Sequence, residues 1–298
     1  MALAIDTGLT DLIGSAIDHI LNEADHEGDS VGIVVSGGLD SSTVAAVAET
    51  VQPGIPTFTG YYDLPGFDER EYAHLAVHAP SASSFTREHH DILITAEDFV
   101  LNFDGMKQAL RPLLPGMGAF GQYMVAKHLF SQGITMAISG EGSDELFGGY
   151  ARQMIVAGEA PPEGYEDYQL PDNYPTDLAA ALQHDFDLLP DLLAVDDQML
   201  GAFGLKARAP FTDRRIVEYG LGLPISERVG KRHLRDRVRG IVPDAIIDRK
   251  DKRGFPAPLV HWANHDPLVR QFVGDRLGYL PDPAKPWDRS FWYDLLNQ

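Results

Sequence analysis

Residues 31–42 read VGIVVSGGLDSS and residues 134–150 read ITMAISGEGSDELFGGY. Each is an apolar run that stops at Ser-Gly and then offers small residues and an aspartate. In the first, Gly37 and Gly38 let the backbone turn sharply and come close to a ligand. Ser41 and Ser42 then open a helix whose first N–H groups have no partner within it. With Ser36 they make a cradle for an anion, because unpaired donors at the positive end of a helix dipole favour phosphate. The stretch lacks G-x-x-x-x-G-K-[ST], which excludes the standard nucleoside triphosphatase loop and calls for a different phosphate loop. A tight strand-to-helix turn with no ligand accounts for SGG alone, and less readily for SGG-x-DSS after a five-residue apolar strand. Asp40 and Asp144 stand at equivalent places in the two stretches. One aspartate after a turn is ordinarily a cap; a matched pair on two glycine-rich strand ends points to a ligand.

Such ends can cooperate only if they are neighbours. An amphipathic segment at 9–22 precedes the strand at 31–35, and a small-residue helix at 41–49 follows it. Further strands are expected at 55–62, 90–94 and 134–139, with helices at 69–77 and 120–131 between them. Strands separated by helices predict an α/β fold, a parallel sheet flanked by helices, which binds ligands at the C-terminal ends of its strands. Two adjacent ends there can enclose one ligand between them, with its anionic part at the first. Residues 157–175, AGEAPPEGYEDYQLPDNYP, follow no period and read as a linker or surface loop. Beyond them, 177–205, 214–221, 231–241 and 266–274 read as helices, with no convincing strand. The chain is read as one domain over 1–298, with a nucleotide-binding core at 1–156 and a mostly helical extension at 157–298.

A net charge of −20 disfavours nucleic acid as a partner. No apolar stretch approaches the roughly 20 residues that span a bilayer, and the first residues carry no secretory pattern, so no membrane association and a cytoplasmic location are expected. The absence of cysteine removes disulfides, thiolate metal sites and a cysteine nucleophile. Basic residues bunch at 228–239 and 249–253, which suggests something negative nearby, although most of these arginines read as a helix face laced with ion pairs. His89 and His90 lie beside a strand without an H-x-H or H-E-x-x-H pattern and give no zinc signature.

SGG-x-DSS resembles the pyrophosphate (PP) loop of the ATP pyrophosphatase superfamily, whose members split ATP into AMP and pyrophosphate to activate a carboxylate or carbonyl. SGEGSDELFGGY closely resembles the matching segment in the synthetase domain of asparagine synthetases. FDEREYA at 67–73, LKARAPFTDRRIVEYGLGLP at 205–224 and GKRHLRDRVRGIVPDAIIDRKDKRGFPAPL at 230–259 resemble that family in the same order. The resemblance implies an adenine nucleotide alpha hydrolase-like fold and ATP bound at Ser36, Gly37, Gly38, Asp40, Ser41, Ser42, Gly60, Ser139 and Gly140. It implies Mg2+ held by Asp40 and Asp144, which suits hard oxygen ligands at a triphosphate. Lys231, in a GK-x-x-LR run, and Lys252, in a K-R-G-F run, are implied to reach the phosphates and the leaving pyrophosphate. Glu141 is implied to take a proton from ammonia as it attacks an acyl-adenylate; a glutamate that only accepts loop N–H groups is the plainer alternative. Gly60 is expected to meet the base through its backbone, with Tyr61 and Tyr62 as core, and Arg208 and Asp213 to brace the helical region.

The implied activity is an ATP-dependent amide ligase, with aspartate as default acceptor and asparagine, AMP and pyrophosphate as products. The same chemistry on another carboxylate, as in natural-product or cell-surface amidation, is the near alternative, and a catalytically idle nucleotide-binding subunit is the distant one. The sequence departs from the family in two places. Glutamine-dependent members carry an N-terminal glutaminase domain with a cysteine nucleophile, whereas here about 30 residues precede the first strand and no cysteine exists. No glutaminase domain is expected, so ammonia would come from solution or from a separate glutaminase subunit. Where relatives show a polar, often acidic stretch, this chain reads LRPLLPGMGAFGQY at 110–123. Either the acceptor is recognised elsewhere, for example by Arg111, or it is not aspartate, or the segment simply packs differently.

Overall fold

The structure is a computed structural model that describes residues 8–78, 87–110, 116–166, 168–251, 254–285 and 288–298. Helix α1 (Leu9–Glu27) buries Leu9, Ile13, Ala16, Ile17, Ile20, Leu21 and Ala24, the stripe that helical spacing predicts, and ends on Gly28 at φ 75°. There follow β1 (Val31–Val34), α2 (Leu39–Val51), β2 (Thr57–Tyr61), α3 (Arg70–Val77), β3 (His89–Leu93), α4 (Ala96–Ala109), α5 (Gly118–Ser131), β4 (Met136–Ile138) and α6 (Ser143–Phe147). Then come α7 (Ala151–Val156), α8 (Leu178–Asp187), α9 (Leu189–Gly201), β5 (Lys206–Arg208) and α10 (Arg214–Leu221). Short helices complete the chain. No helix among the described residues is long and apolar enough to cross a membrane.

The five strands form one parallel sheet in the order β3-β2-β1-β4-β5. The expected strands are all present. Strand β5 corrects the expectation of a second half without strands: at three half-buried residues it is too short to show alternation, and its identity comes from pairing with β4. Helix α4 was also missed, although Thr95 and Asp98 form a capping box at its start. The helical reading over 177–205 divides into α8 and α9 at Leu188, where Pro190 stands in the first turn of the second helix.

Helices cover both faces of the sheet. On one face Phe58, Phe99, Phe103, Phe120, Trp262 and Trp292 share a core. On the other, Ile13, Ile33, Val44, Ile138, Phe147 and Ile216 share a second. Residues from the C-terminal half enter both layers, so the helical extension closes the two sides of the nucleotide-binding sheet.

Candidate active site

Strands β1 and β4 pair in parallel with Gly32 opposite Ala137 and Ile33 opposite Ile138, so the two Ser-Gly ends emerge side by side. Their contact depends on glycine. A Cβ on Gly140 would lie 2.7 Å from the Ser41 nitrogen and 2.9 Å from Asp40 Cβ, closer than real side chains come. The first loop is organised by its serines. Ser36 N–H donates to Ser41 Oγ at 3.1 Å, the two hydroxyls lie 3.1 Å apart, and Gly38 N–H donates to Ser36 Oγ at 3.4 Å. Gly37 has φ 75°, and a Cβ there would sit 2.7 Å from the Ala73 nitrogen of α3. Helix α2 starts after Gly38 with no side-chain cap. Ser42 is fully buried, and its Oγ has no hydrogen-bond partner among the described residues.

The two aspartates converge. Asp40, buried in the first turn of α2, accepts from Ser143 Oγ at 2.7 Å through Oδ1 and from Lys231 Nζ at 2.6 Å through Oδ2. The same ammonium lies 2.5 Å from Asp144 Oδ1. Three residues at 40, 144 and 231 thus meet at one cation. Lys231 is the one non-glycine residue with positive φ among the described residues, at 57°. Such a conformation costs roughly 1–2 kcal/mol and persists only when the surroundings enforce it. They do: Gly230 N–H donates to the Gly148 carbonyl at 2.8 Å, Arg228 Nε to the Leu146 carbonyl at 2.9 Å, and Arg235 Nε to the Gly230 carbonyl at 2.9 Å. Gly149 leaves room for the cluster, since a Cβ there would fall 1.8 Å from Asp144 Oδ1 and 2.1 Å from Lys231 Cε.

Glu141 follows in the second loop, half-buried, with its N–H donating to Ser139 Oγ at 3.4 Å. Two further acids stand nearby that sequence reasoning passed over. Glu145, 1% exposed, is pushed up to about 7 by burial and then by the Asp144 charge, against a hydrogen bond donated by the Tyr150 hydroxyl. Asp196 on α9 is also buried and pushed up to about 7, by burial and then by Asp197 and Glu145, although Gln122 Nε2 donates to it at 2.6 Å. A signal existed for Asp196: with Met199 and Leu200 it has the i, i+3, i+4 spacing of a buried face.

Gly60, near the end of β2, lies beneath Phe255: a Cβ there would be 2.6 Å from the ring. On Gly121 it would be 2.3 Å from the same ring, and on Gly118 3.4 Å from the Phe255 carbonyl. Gly118 and Gly121 of the apolar 116–123 segment are therefore a bed for Phe255, which supports the packing explanation of that departure. Arg111 and Lys252 lie outside the described residues. Tyr62 is core, packed on Phe67, Phe255 and Trp262. Arg208 ties β5 to Glu23 of α1, and Asp213 caps α10 by accepting from Arg215 N–H at 2.8 Å. Beyond Lys231, Arg232 pairs with Glu159 and Arg239 with Asp248, both at 2.5 Å.

The donor set fits a divalent cation: two carboxylates meet at one position, as hard ions require, and the lysine ammonium spans that position here.

An asparagine synthase family model matches residues 13–163 and 177–297. The sequence is similar to asparagine synthetase (glutamine-hydrolyzing) 1 of Bacillus subtilis (strain 168), 25% identical over 307 residues covering 79% of this chain and 48% of that protein. It is similar to a putative asparagine synthetase (glutamine-hydrolyzing) of Mycobacterium tuberculosis (strain ATCC 25618 / H37Rv), at 26% over 331 residues, 86% of this chain and 50% of that protein. To the Bos taurus asparagine synthetase (glutamine-hydrolyzing) it is 32% identical over 212 residues, 67% of this chain and 34% of that protein. The chain spans half or less of the length of these relatives. A solved NMN synthetase from Francisella tularensis aligns with 79% of this chain and 96% of its own, at 14% identity and a TM-score of 0.34, too distant to carry an argument. The parallel, helix-flanked sheet is the adenine nucleotide alpha hydrolase-like architecture expected of PP-loop proteins. A family model that covers nearly the whole sequence, over a fold that sets its two Ser-Gly loops together, shows that this chain belongs to the asparagine synthase family.

Proposed function

We propose that the protein is an ATP-dependent amide ligase that activates a carboxylate as an acyl-adenylate and aminolyses it with ammonia, releasing AMP and pyrophosphate. The observation that carries this is the meeting of two strand ends: Gly140 lies against the backbone of Asp40 and Ser41, and Asp40 and Asp144 close on a single cation. The β1–α2 loop of Ser36, Gly37, Gly38, Ser41 and Ser42 would bind the phosphates with its N–H and hydroxyl groups, and α2 adds the positive end of its dipole. Gly60, Ser139 and Gly140 would border the rest of the nucleotide. Magnesium, when bound with ATP at Asp40 and Asp144, supplies charge neutralisation at the phosphates.

Lys231 would then turn from its carboxylates toward the phosphates, where fixed positive charge stabilises the negative charge that develops as pyrophosphate leaves. Lys252, three residues before the Phe255 anchor, would assist it. Glu141, half-buried beside Ser139, would orient ammonia and accept its proton during attack on the acyl carbon. Aspartate is the default acceptor, with asparagine as product; ammonia would come from solution or from a separate glutaminase.

The test is exchange of labelled pyrophosphate into ATP, across a panel of carboxylic acids with magnesium, followed by product analysis with ammonium. Acid-dependent exchange, AMP formation and its loss in Asp40→Asn are expected. Formation of ADP, or exchange untouched in Asp40→Asn, contradicts the proposal.

A further inference from the structure

Away from the two loops, His89 and Asp91 project from the same face of the edge strand β3, two residues apart, and His74 comes from α3 packed over it. His74 Nε2 lies 2.9 and 3.0 Å from the Asp91 oxygens, and His89 Nε2 lies 3.2 Å from Asp91 Oδ1. All three ligating atoms fall within 4.8 Å of one another. From these distances we propose that His74, His89 and Asp91 form a binding site for a divalent transition ion, zinc by its chemistry, that fastens α3 to the sheet edge.

Two imidazoles and one carboxylate are a zinc donor set, and bonds of roughly 2.0–2.1 Å in a tetrahedron place neighbouring donors about 3.3 Å apart; each imidazole nitrogen lies 2.9–3.2 Å from an Asp91 oxygen here. A second observation is the state of His89. Its side chain is 7% exposed, and Nε2 faces Asp91 Oδ1 without the geometry of a hydrogen bond. Thr57 Oγ1 lies 2.9 Å from His89 Nδ1 and donates its own proton to the Glu88 carbonyl at 3.3 Å. In the tautomer in which Nδ1 donates to Thr57 Oγ1, Nε2 presents a buried lone pair to a carboxylate oxygen. A cation between the two, either a metal ion or the proton of an imidazolium, relieves the repulsion of those lone pairs. A ligating histidine whose other ring nitrogen donates to an oxygen is the usual support of a bound metal.

The fourth position would fall to water or to His78, one helical turn beyond His74, whose ring centroid lies 6.4 Å from that of His89. The site belongs to the N-terminal end of the sheet, since His89 pairs with Thr57 at the start of β2. Its role is structural: Ala73 and Tyr72 of the same helix press on Gly37 of the first loop, so fastening α3 steadies that loop.

The test is zinc titration of the chelator-treated full chain by calorimetry, with millimolar magnesium present to occupy oxygen-only sites, and cobalt as a spectroscopic stand-in. One zinc per chain, visible cobalt bands of a four-coordinate N/O site, and affinity lowered by about tenfold or more in His74→Gln and in Asp91→Asn are expected. Both residues are partly exposed, so these variants should fold, and unchanged circular dichroism checks that. Absence of stoichiometric zinc, or equal affinity in wild type and both variants, overturns the proposal. Neither result bears on pyrophosphate exchange, so the two proposals stand or fall separately.

Discussion

Replacing Lys231 by alanine removes the cation shared by Asp40 and Asp144 and leaves the rest of the fold in place. Lys231 and Asp40 are each 5% exposed, whereas the Asp144 side chain is 31% exposed. Removing one partner of a buried pair costs about 3–5 kcal/mol, because the remaining charge is stranded. The exposure of Asp144 lets water screen part of the repulsion, which places Lys231→Ala near the lower bound, about 3 kcal/mol. The backbone supplies an internal control. Alanine at φ 57° keeps the strain, whereas Lys231→Gly relieves about 1 kcal/mol of it, so glycine should be the less damaging change. Adding Asp40→Asn to Lys231→Ala removes the stranded charge and should recover a large share of the loss. Magnesium should also restore part of the stability of Lys231→Ala, and none in Lys231→Ala/Asp144→Asn, if both carboxylates hold the ion. Urea unfolding at pH 7, with and without magnesium, reads all four variants. A loss below about 1 kcal/mol for Lys231→Ala, or strict additivity with Asp40→Asn, would refute the shared-cation account.

Gly149→Ala drives a methyl into Asp144 Oδ1 and Lys231 Cε, so pyrophosphate exchange should fall by about a hundredfold while the chain stays folded, as kinetics and circular dichroism would show. Glu145 provides a pH test. Its folded value is about 7 against an ordinary 4.5, so the native state keeps a proton that the unfolded chain releases. Its contribution is therefore complete below pH 4.5 and is lost as pH rises through 7; wild type should lose up to roughly 3 kcal/mol relative to Glu145→Gln between pH 4.5 and pH 8, and parallel urea curves for the two would dismiss the burial effect. Gly121→Ala pushes Phe255 off its bed and should cost about 1–3 kcal/mol in thermal or urea unfolding. An unchanged midpoint would show that the ring can simply swing aside.

How far the sequence reaches can be judged element by element. The strand-helix alternation of the first half was legible because buried parallel strands are short apolar runs closed by glycine, as at 31–35 and 134–139. Strand β5 was not, because three half-buried residues carry no period and acquire their identity from β4. The short helices after residue 224 were also poorly legible: the expected helix at 231–241 is confined to Arg232–Arg237, preceded by Gly230 and Lys231 in left-handed conformation.

By itself the sequence determined the two Ser-Gly loops, their matched aspartates and the family that uses them, since these are local patterns of residue type and spacing. Only the tertiary structure decided that Lys231 lies between Asp40 and Asp144, that Glu145 and Asp196 are buried acids, that glycines at 118 and 121 cradle Phe255, and that His74 joins His89 and Asp91. The physical reason is common to all four. Charge, burial and ligand geometry depend on distances between residues far apart in the chain, and no local pattern records a distance that folding alone creates.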